Sequence, residues 1–479
     1  MSPDHRRAGP AWLVALLVGL AALMSGGSGV PTWVDRAFVP VRYAFSFSWG
    51  RAGRLPGQEE GTMGFLDSLW VAALTGIHAL GAEPVRALPY VCIGAATVCI
   101  AALAGDAWRR FGTARALLPA ISLAFAVPLV LAARSGTNDA WLAAWTAVAL
   151  VAAGRDVGRS RLRWPGVLAV VVLGLCGPLG WLAAAGVLWV GIPGSWRPVA
   201  VAGTVQLGVA LALGFDAPTA LLIDLRHVDA SRVGLIAEAL PVLTIVAAAG
   251  IAAAGTGHPV VRFALWASAV WLVRGTMGAD DVAPAADRFL PAIAVMAWLA
   301  TEAVARLRRT PSIVAVALLL IGVDTGQAWA DRSTVARERR IALKESQAMA
   351  RFLKWRFDKP QRVALHSAGS IAYHYGGPVI DASGRTERRD VSPGAIVAMG
   401  PEAMVPAVQY VGQTVTFTPM FPGSAVAVTD AYDHHSVQHQ PRWGLTQAHP
   451  VFFQYLTRKD LPRLPMNISE EDGNRFPKQ

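Results

Sequence analysis

GTMGADDVAPAADRFLP, residues 275–291, separates two long apolar runs with three carboxylates, Asp280, Asp281 and Asp287, and is flanked or entered by Arg274 and Arg288. Short polar gaps between apolar runs of bilayer length mark a chain that crosses a membrane repeatedly. Clear runs lie at 12–30, 87–104, 116–133, 235–254, 288–305 and 311–329. The 479 residues are 54% hydrophobic and only 16% charged, with a mean hydropathy of +0.41. Soluble domains carry about a quarter charged residues, so the composition excludes that class. The fold class is a polytopic α-helical membrane protein.

Eleven spans are expected: the six above and 139–153, 166–178, 180–192, 198–214 and 259–277. The short pair broken at CGPLG (176–180) reads equally as one kinked or re-entrant segment. The N-terminal run is read as a retained helix, being long for a signal peptide and followed by further spans. Arg6 and Arg7, Arg109, Arg110 and Arg115, Arg155, Arg159, Arg161 and Arg163, and Arg306, Arg308 and Arg309 fall in alternate loops. Basic residues favour the cytoplasmic side, which puts the N-terminus inside and, with an odd number of spans, the C-terminus outside. The net charge of +11 is thereby a signature of orientation and not of nucleic-acid binding. Cys92, Cys99 and Cys176 lie within apolar runs and predict packing residues, not disulfides.

Residues 1–329 form the membrane domain, with an outer segment at 31–86 containing SLWVAALTGIHALGA (68–82), read as an interfacial helix. Residues 330–479 form a small extracytoplasmic α/β domain. There, 336–357 has helical periodicity, RVALHS (362–367) and PVIDA (378–382) read as strands, and GSIAYHYGG (369–377) is a helix or turn between them. The histidines of AYDHHSVQH (431–439) match no zinc spacing, and no metal is assigned to them.

This topology gathers acids and arginines on the outer face: Asp35, Arg36, Arg42, Glu59, Glu60 and Asp67 from the first loop, Asp139 from the second, and the quoted stretch. Charges near a bilayer are costly unless paired or functional. Carboxylates there suit proton abstraction from a hydroxyl and arginines suit bidentate contact with phosphate. Ordinary loop polarity with surface ion pairs is the plain alternative.

The ordered set DRAFVPVRYA (35–44), PGQEEGTMGFLDSLW (56–70), SGTND (135–139), GADD (278–281), DRFLP (287–291), AGSIAYHYGG (368–377) and GRTE (384–387) resembles the polyprenyl-phosphate-sugar-dependent membrane glycosyltransferases of GT-C fold. Within them it is most similar to the bacterial cell-wall arabinofuranosyltransferases. The chain departs from that pattern at Arg36, where the family has a second acid, and at Asn138, where it has Glu and this chain places its acid one position later. Ala279 replaces the second Gly of a Gly-Gly-Asp. The resemblance implies inverting transfer of a sugar, such as a pentofuranose, from a polyprenyl-phosphate donor to a glycan or glycolipid acceptor. The setting it implies is the outer face of a bacterial plasma membrane, with membrane lipids as the surrounding partner.

On that resemblance Asp35 is the expected general base, with Asp280 as second base or acceptor anchor. Arg274, Arg288 and Arg42 are expected on the donor phosphate. Glu59, Glu60, Asp139, Asp281 and Asp287 are expected to order the loops or contact the acceptor. No nucleotide cofactor is needed, and a divalent cation is left open. Two other classes stand beside this reading: a catalytically weakened scaffold of the same fold, and a lipid or sugar transporter, which would show inverted repeats.

Overall fold

The computed structural model describes residues 34–50, 55, 67–111, 118–213, 228–277, 286–307, 310–357, 359–366, 369–382, 392–405, 407–411, 414–418, 431–439 and 451–461. The expected first span 12–30, and Glu59, Glu60, Asp280, Asp281 and the GRTE run, lie outside them.

A 3-10 turn at Asp35–Ala37 leads into α1 (Phe38–Ser48), followed by α2 (Ser68–Ala79), α3 (Pro84–Phe111), α4 (Leu118–Phe125) and α5 (Val127–Ser135). Next come α6 (Asp139–Asp156), α7 (Trp164–Leu175), α8 (Gly177–Ala185) with a 3-10 extension Gly186–Val190, and α9 (Trp196–Leu213). The remaining bundle helices are α10 (Gly234–Ala239), α11 (Pro241–Ala254), α12 (Pro259–Thr276), α13 (Leu290–Ala305) and α14 (Thr310–Arg356).

Among the described residues, α3 and the helical stretch Ala286–Ala305 are long and apolar enough to cross a membrane, and the pair α10–α11 becomes a third if its 100° bend is taken within one span. The expected span 116–133 is broken at Ala126, where Val127 and Pro128 start a new helix. The expected span 235–254 is bent by 100° at Leu240, ahead of Pro241. That break frees amides at the start of α11, and Asp324 of α14 accepts them from Val242 (2.9 Å) and Leu243 (3.0 Å). A carboxylate on a helix N-terminus satisfies both hydrogen bonding and the helix dipole. The 12-residue α2, about 18 Å long at 1.5 Å per residue, is too short to span a bilayer.

Small residues set the close crossings within the bundle. At Gly250 of α11 a Cβ would stand 1.9 Å from the Leu299 carbonyl of α13, so only glycine permits this approach.

Charged residues collect at the two ends of the bundle. At one end Trp298 Nε1 donates to Asp106 (3.1 Å), and Arg110 pairs with Glu302 while lying over the Trp298 ring. Nearby Asp156 accepts from the Arg163 amide at 2.8 Å, which folds the arginine-rich loop 157–163 back onto α6. At the opposite end lie Arg36, Asp67, Asp139 and Arg274.

α14 is a single 47-residue helix, about 70 Å long, that continues through residue 329 into the α/β part. The rest of that part comprises β1 (Val363–Leu365), α15 (Ser370–Tyr375), β2 (Val379–Asp381), α16 (Pro393–Ala398), β3 (Ala403–Val405), β4 (Ala407–Val411), β5 (Thr414–Thr418), β6 (Tyr432–His439) and β7 (Val451–Arg458). The main sheet runs β2-β1-β3-β7-β6. β1 is parallel to both β2 and β3, while β7 is antiparallel to β3 and β6. Alternation divides the strands: Val363, Leu365 and Val405 pack with Met349, Leu353 and Tyr375, whereas Ala364, Ile380 and Met404 pack with Ile396 and Tyr432. The period of two along a strand puts the two sets on opposite faces. The AYDHHSVQH run supplies β6.

Candidate functional site

SGTND (135–139) is the hub of the site end. It joins the end of α5 to the start of α6, where Asp139 has no exposure. Asp139 accepts from Arg36 Nη2 at 2.8 Å, Arg274 Nη1 at 2.6 Å and Thr137 Oγ1 at 2.6 Å. Arg274 Nη2 donates to Asn138 Oδ1 at 2.9 Å, and Asn138 Nδ2 donates to Asp67 Oδ2 at 2.7 Å. Asp67 Oδ1 caps α2 through the Trp70 amide at 3.0 Å. One connected network therefore ties the first loop, α2, the α5–α6 junction and the end of α12.

Its electrostatics are uneven. Burial pushes the Asp67 carboxyl up to about 6, against the stabilising hydrogen bonds from Asn138 and Trp70 and the charge of Arg274. Removing a carboxylate from water favours its neutral form. Two guanidinium groups converge on Asp139, while the second carboxylate of the network takes up a proton as pH falls. The Arg36 and Arg274 side chains keep 21% and 18% of their exposure. They are thus positive groups oriented by a buried anion, an arrangement suited to an incoming phosphate.

The other expected residues go elsewhere. Asp287 and Arg339 of α14 form a fully buried pair with two parallel contacts of 2.9 Å. Asp287 thus anchors the long helix, and Arg274 pairs with Asp139. Arg288, also buried, donates to the Met277 carbonyl, and its own carbonyl accepts from Arg274 at 3.4 Å. Arg42 is buried in α1; burial lowers it to about 10, with Tyr43, Asp381 and Asp35 favouring its charged form. Arg288 and Arg42 are enclosed, whereas Arg36 and Arg274 are not. Asp139, expected near the acceptor, is instead the buried counter-ion of Arg36 and Arg274.

Asp35 meets the α/β part. Its carboxylate accepts from the Gly369 amide at 3.0 Å and the Ser370 amide at 2.6 Å. Beside it the Phe38 ring lies 5.3 Å from Tyr373 and 5.5 Å from His374, and Phe45 lies 4.6 Å from His78. Tyr373 is half-buried in this contact. Tyr375 is buried, with its hydroxyl donating to the Gln361 carbonyl. Burial, with the charges of Lys354 and Arg351, lowers His374 to about 4, so its imidazole is neutral near pH 7.

An apolar cavity of about 400 Å³ opens between α1, α2, α7 and α9, lined by Tyr43, Phe47, Leu69, Val71, Leu175 and Val205 among others. Ser68, on its wall, directly follows Asp67 in the chain, so the cavity adjoins the hub.

Sequence reasoning named Asp35, Asp139 and Arg274 but did not foresee the pairing of Arg36 with Asp139, the bridging of Asn138 or the anchor at Arg339. The small polar run SGTND before an apolar helix is a visible signal for the hub. Arg339, one of many charges on a helical face, offers none.

No protein-family model matches the chain, and no curated protein sequence matches it. Among solved structures, apo ArnT from Cupriavidus metallidurans aligns over 93% of this chain and 96% of its own, at 14% identity and a TM-score of 0.49. The arabinofuranosyltransferase AftD from Mycobacteria aligns over 96% of this chain at 14% identity and a TM-score of 0.50, and this chain spans 40% of AftD. Identity at that level speaks to fold alone. The chain shares the polytopic helical membrane fold of AftD.

Proposed function

We propose that the protein transfers a sugar from a polyprenyl-phosphate donor to a cell-envelope glycan or glycolipid at the outer membrane face. The observation that carries this reading is the convergence of Arg36 and Arg274 on buried Asp139, beside an apolar cavity. Together they suit the two halves of a lipid phosphate. The phosphate sits against the two guanidinium groups, and the isoprenoid chain runs between α1, α2, α7 and α9. Asp35 takes the proton of the acceptor hydroxyl, the acceptor oxygen attacks the anomeric carbon, and the carbon–oxygen bond to phosphate breaks. The electron pair leaves with the lipid phosphate, whose growing charge Arg36 and Arg274 stabilise. Attack in line inverts the anomeric centre. A pentofuranose donor follows from the sequence resemblance, and the α/β part orients the acceptor.

For a divalent cation, the described carboxylates offer a poor cage: Asp35, Asp67 and Asp139 each already accept N–H donors. The steps above rely on arginine instead.

One observation favours the scaffold reading: both oxygens of Asp35 are engaged by backbone amides. Transfer of radiolabelled sugar from a panel of polyprenyl-phosphate sugars decides between the two. Wild type should transfer from one donor, Asp35→Asn should lose transfer while folding normally, and Arg274→Gln should weaken donor use. Wild-type transfer that survives in Asp35→Asn would falsify the base assignment, and no transfer from any donor would leave the scaffold.

A further inference from the structure

Three features at the Asp35 contact point the same way. The Gly369 and Ser370 amides reach the carboxylate from the α/β part, more than three hundred residues along the chain. Gly369 is the residue that allows this approach: a Cβ there would stand 2.0 Å from the Asp35 carbonyl oxygen and 2.7 Å from its Oδ2. Finally, the Ser370 hydroxyl is buried and has no hydrogen-bond partner among the described residues, although the residue is only 2% exposed.

A buried hydroxyl left without a partner costs stability, and such groups are exceptional in folded proteins. This one belongs to the residue whose amide holds the proposed base. A sugar hydroxyl is both a donor and an acceptor, so it can satisfy a carboxylate and a serine hydroxyl at once.

We infer that Ser370 is a further residue of the acceptor site: its hydroxyl donates to the acceptor oxygen while Asp35 accepts that oxygen's proton, and Gly369 permits the contact that brings them together. This rests on the glycosyl-transfer reading above and deepens it, because the α/β part then completes the site as well as covering it. Chemistry proceeds as already written. The proton passes from acceptor oxygen to the Asp35 carboxylate, and the serine hydroxyl keeps its own proton throughout. The two backbone amides are positioning groups that fix the direction of the carboxylate.

The seat is tested separately from the chemistry. A Phe45→Cys/Tyr373→Cys protein, whose native rings lie 6.1 Å apart and are both partly exposed, should cross-link with a short bismaleimide. Cys92, Cys99 and Cys176 are all buried and should react little. Adding Gly369→Val should abolish that cross-link, and a cross-link of undiminished yield would overturn the packing argument. Ser370→Ala keeps the amide and removes only the hydroxyl. It should leave cross-linking and donor KM unchanged while lowering kcat/KM for the acceptor about tenfold, the worth of one hydrogen bond of about 1.4 kcal/mol. Unchanged acceptor kinetics in Ser370→Ala, with the cross-link intact, would overturn the inference alone. Absence of transfer by the wild type from every donor would instead overturn the function on which it rests, whatever the cross-link shows.

Discussion

Asp139→Asn is the sharpest probe of the hub. The native carboxylate has no exposure and accepts from two guanidinium groups and a threonine hydroxyl, at 2.6–2.8 Å. The amide keeps the volume, removes the charge and turns an N–H toward groups that are themselves donors. Breaking a buried ion pair from one side costs about 3–5 kcal/mol. The arginines retain 21% and 18% side-chain exposure, so water relieves part of that cost and the low end, about 3 kcal/mol, applies. That corresponds to a factor of about 150 in the folding equilibrium. Thr137→Val is the reference, since it removes a hydrogen bond to the same carboxylate while leaving its charge, for about 1.5 kcal/mol, the low end for a charged acceptor. Thermal unfolding of both variants in one detergent, at a single scan rate, should place Asp139→Asn several degrees below wild type and clearly below Thr137→Val. An Asp139→Asn protein that melts with wild type, or above Thr137→Val, would show that the charge does not hold the network together.

Asp67 gives a pH test. Its carboxyl is raised to about 6 in the folded protein from a reference of 3.8, so between those values the folded state keeps a proton that the unfolded state has lost. Stability should therefore fall as pH rises from about 4 to about 6, by up to about 3 kcal/mol, and Asp67→Asn should flatten that slope in melts at pH 4.5 and 6.5. Gly250→Ala should lower the melting temperature, because its new methyl would meet the Leu299 carbonyl and force α11 from α13 at a cost of about 1–3 kcal/mol. A variant that melts with wild type would show that the helices shift apart freely.

The apolar run lengths, the loop arginines and the polar gaps are local properties of the chain, and they determined a membrane bundle with charged residues gathered at its ends. RVALHS and PVIDA likewise read as two strands with a helix or turn between them, and the structure has parallel β1 and β2 with α15 between them in the chain.

Pairing is what the tertiary structure alone decided. Asp287 finds Arg339 across 52 residues, Arg274 finds Asp139 across 135, and Asp35 finds Ser370 across 335. A carboxylate in a polar loop faces several arginines of equal chemical fitness, and composition does not choose among them. Packing does: the break at Leu240, the Gly250 crossing and the unbroken α14 fix the helix ends to within ångströms, and burial then makes any other pairing too costly. For the same reason Arg36, a mere departure from pattern in the sequence, becomes in the fold the partner of Asp139.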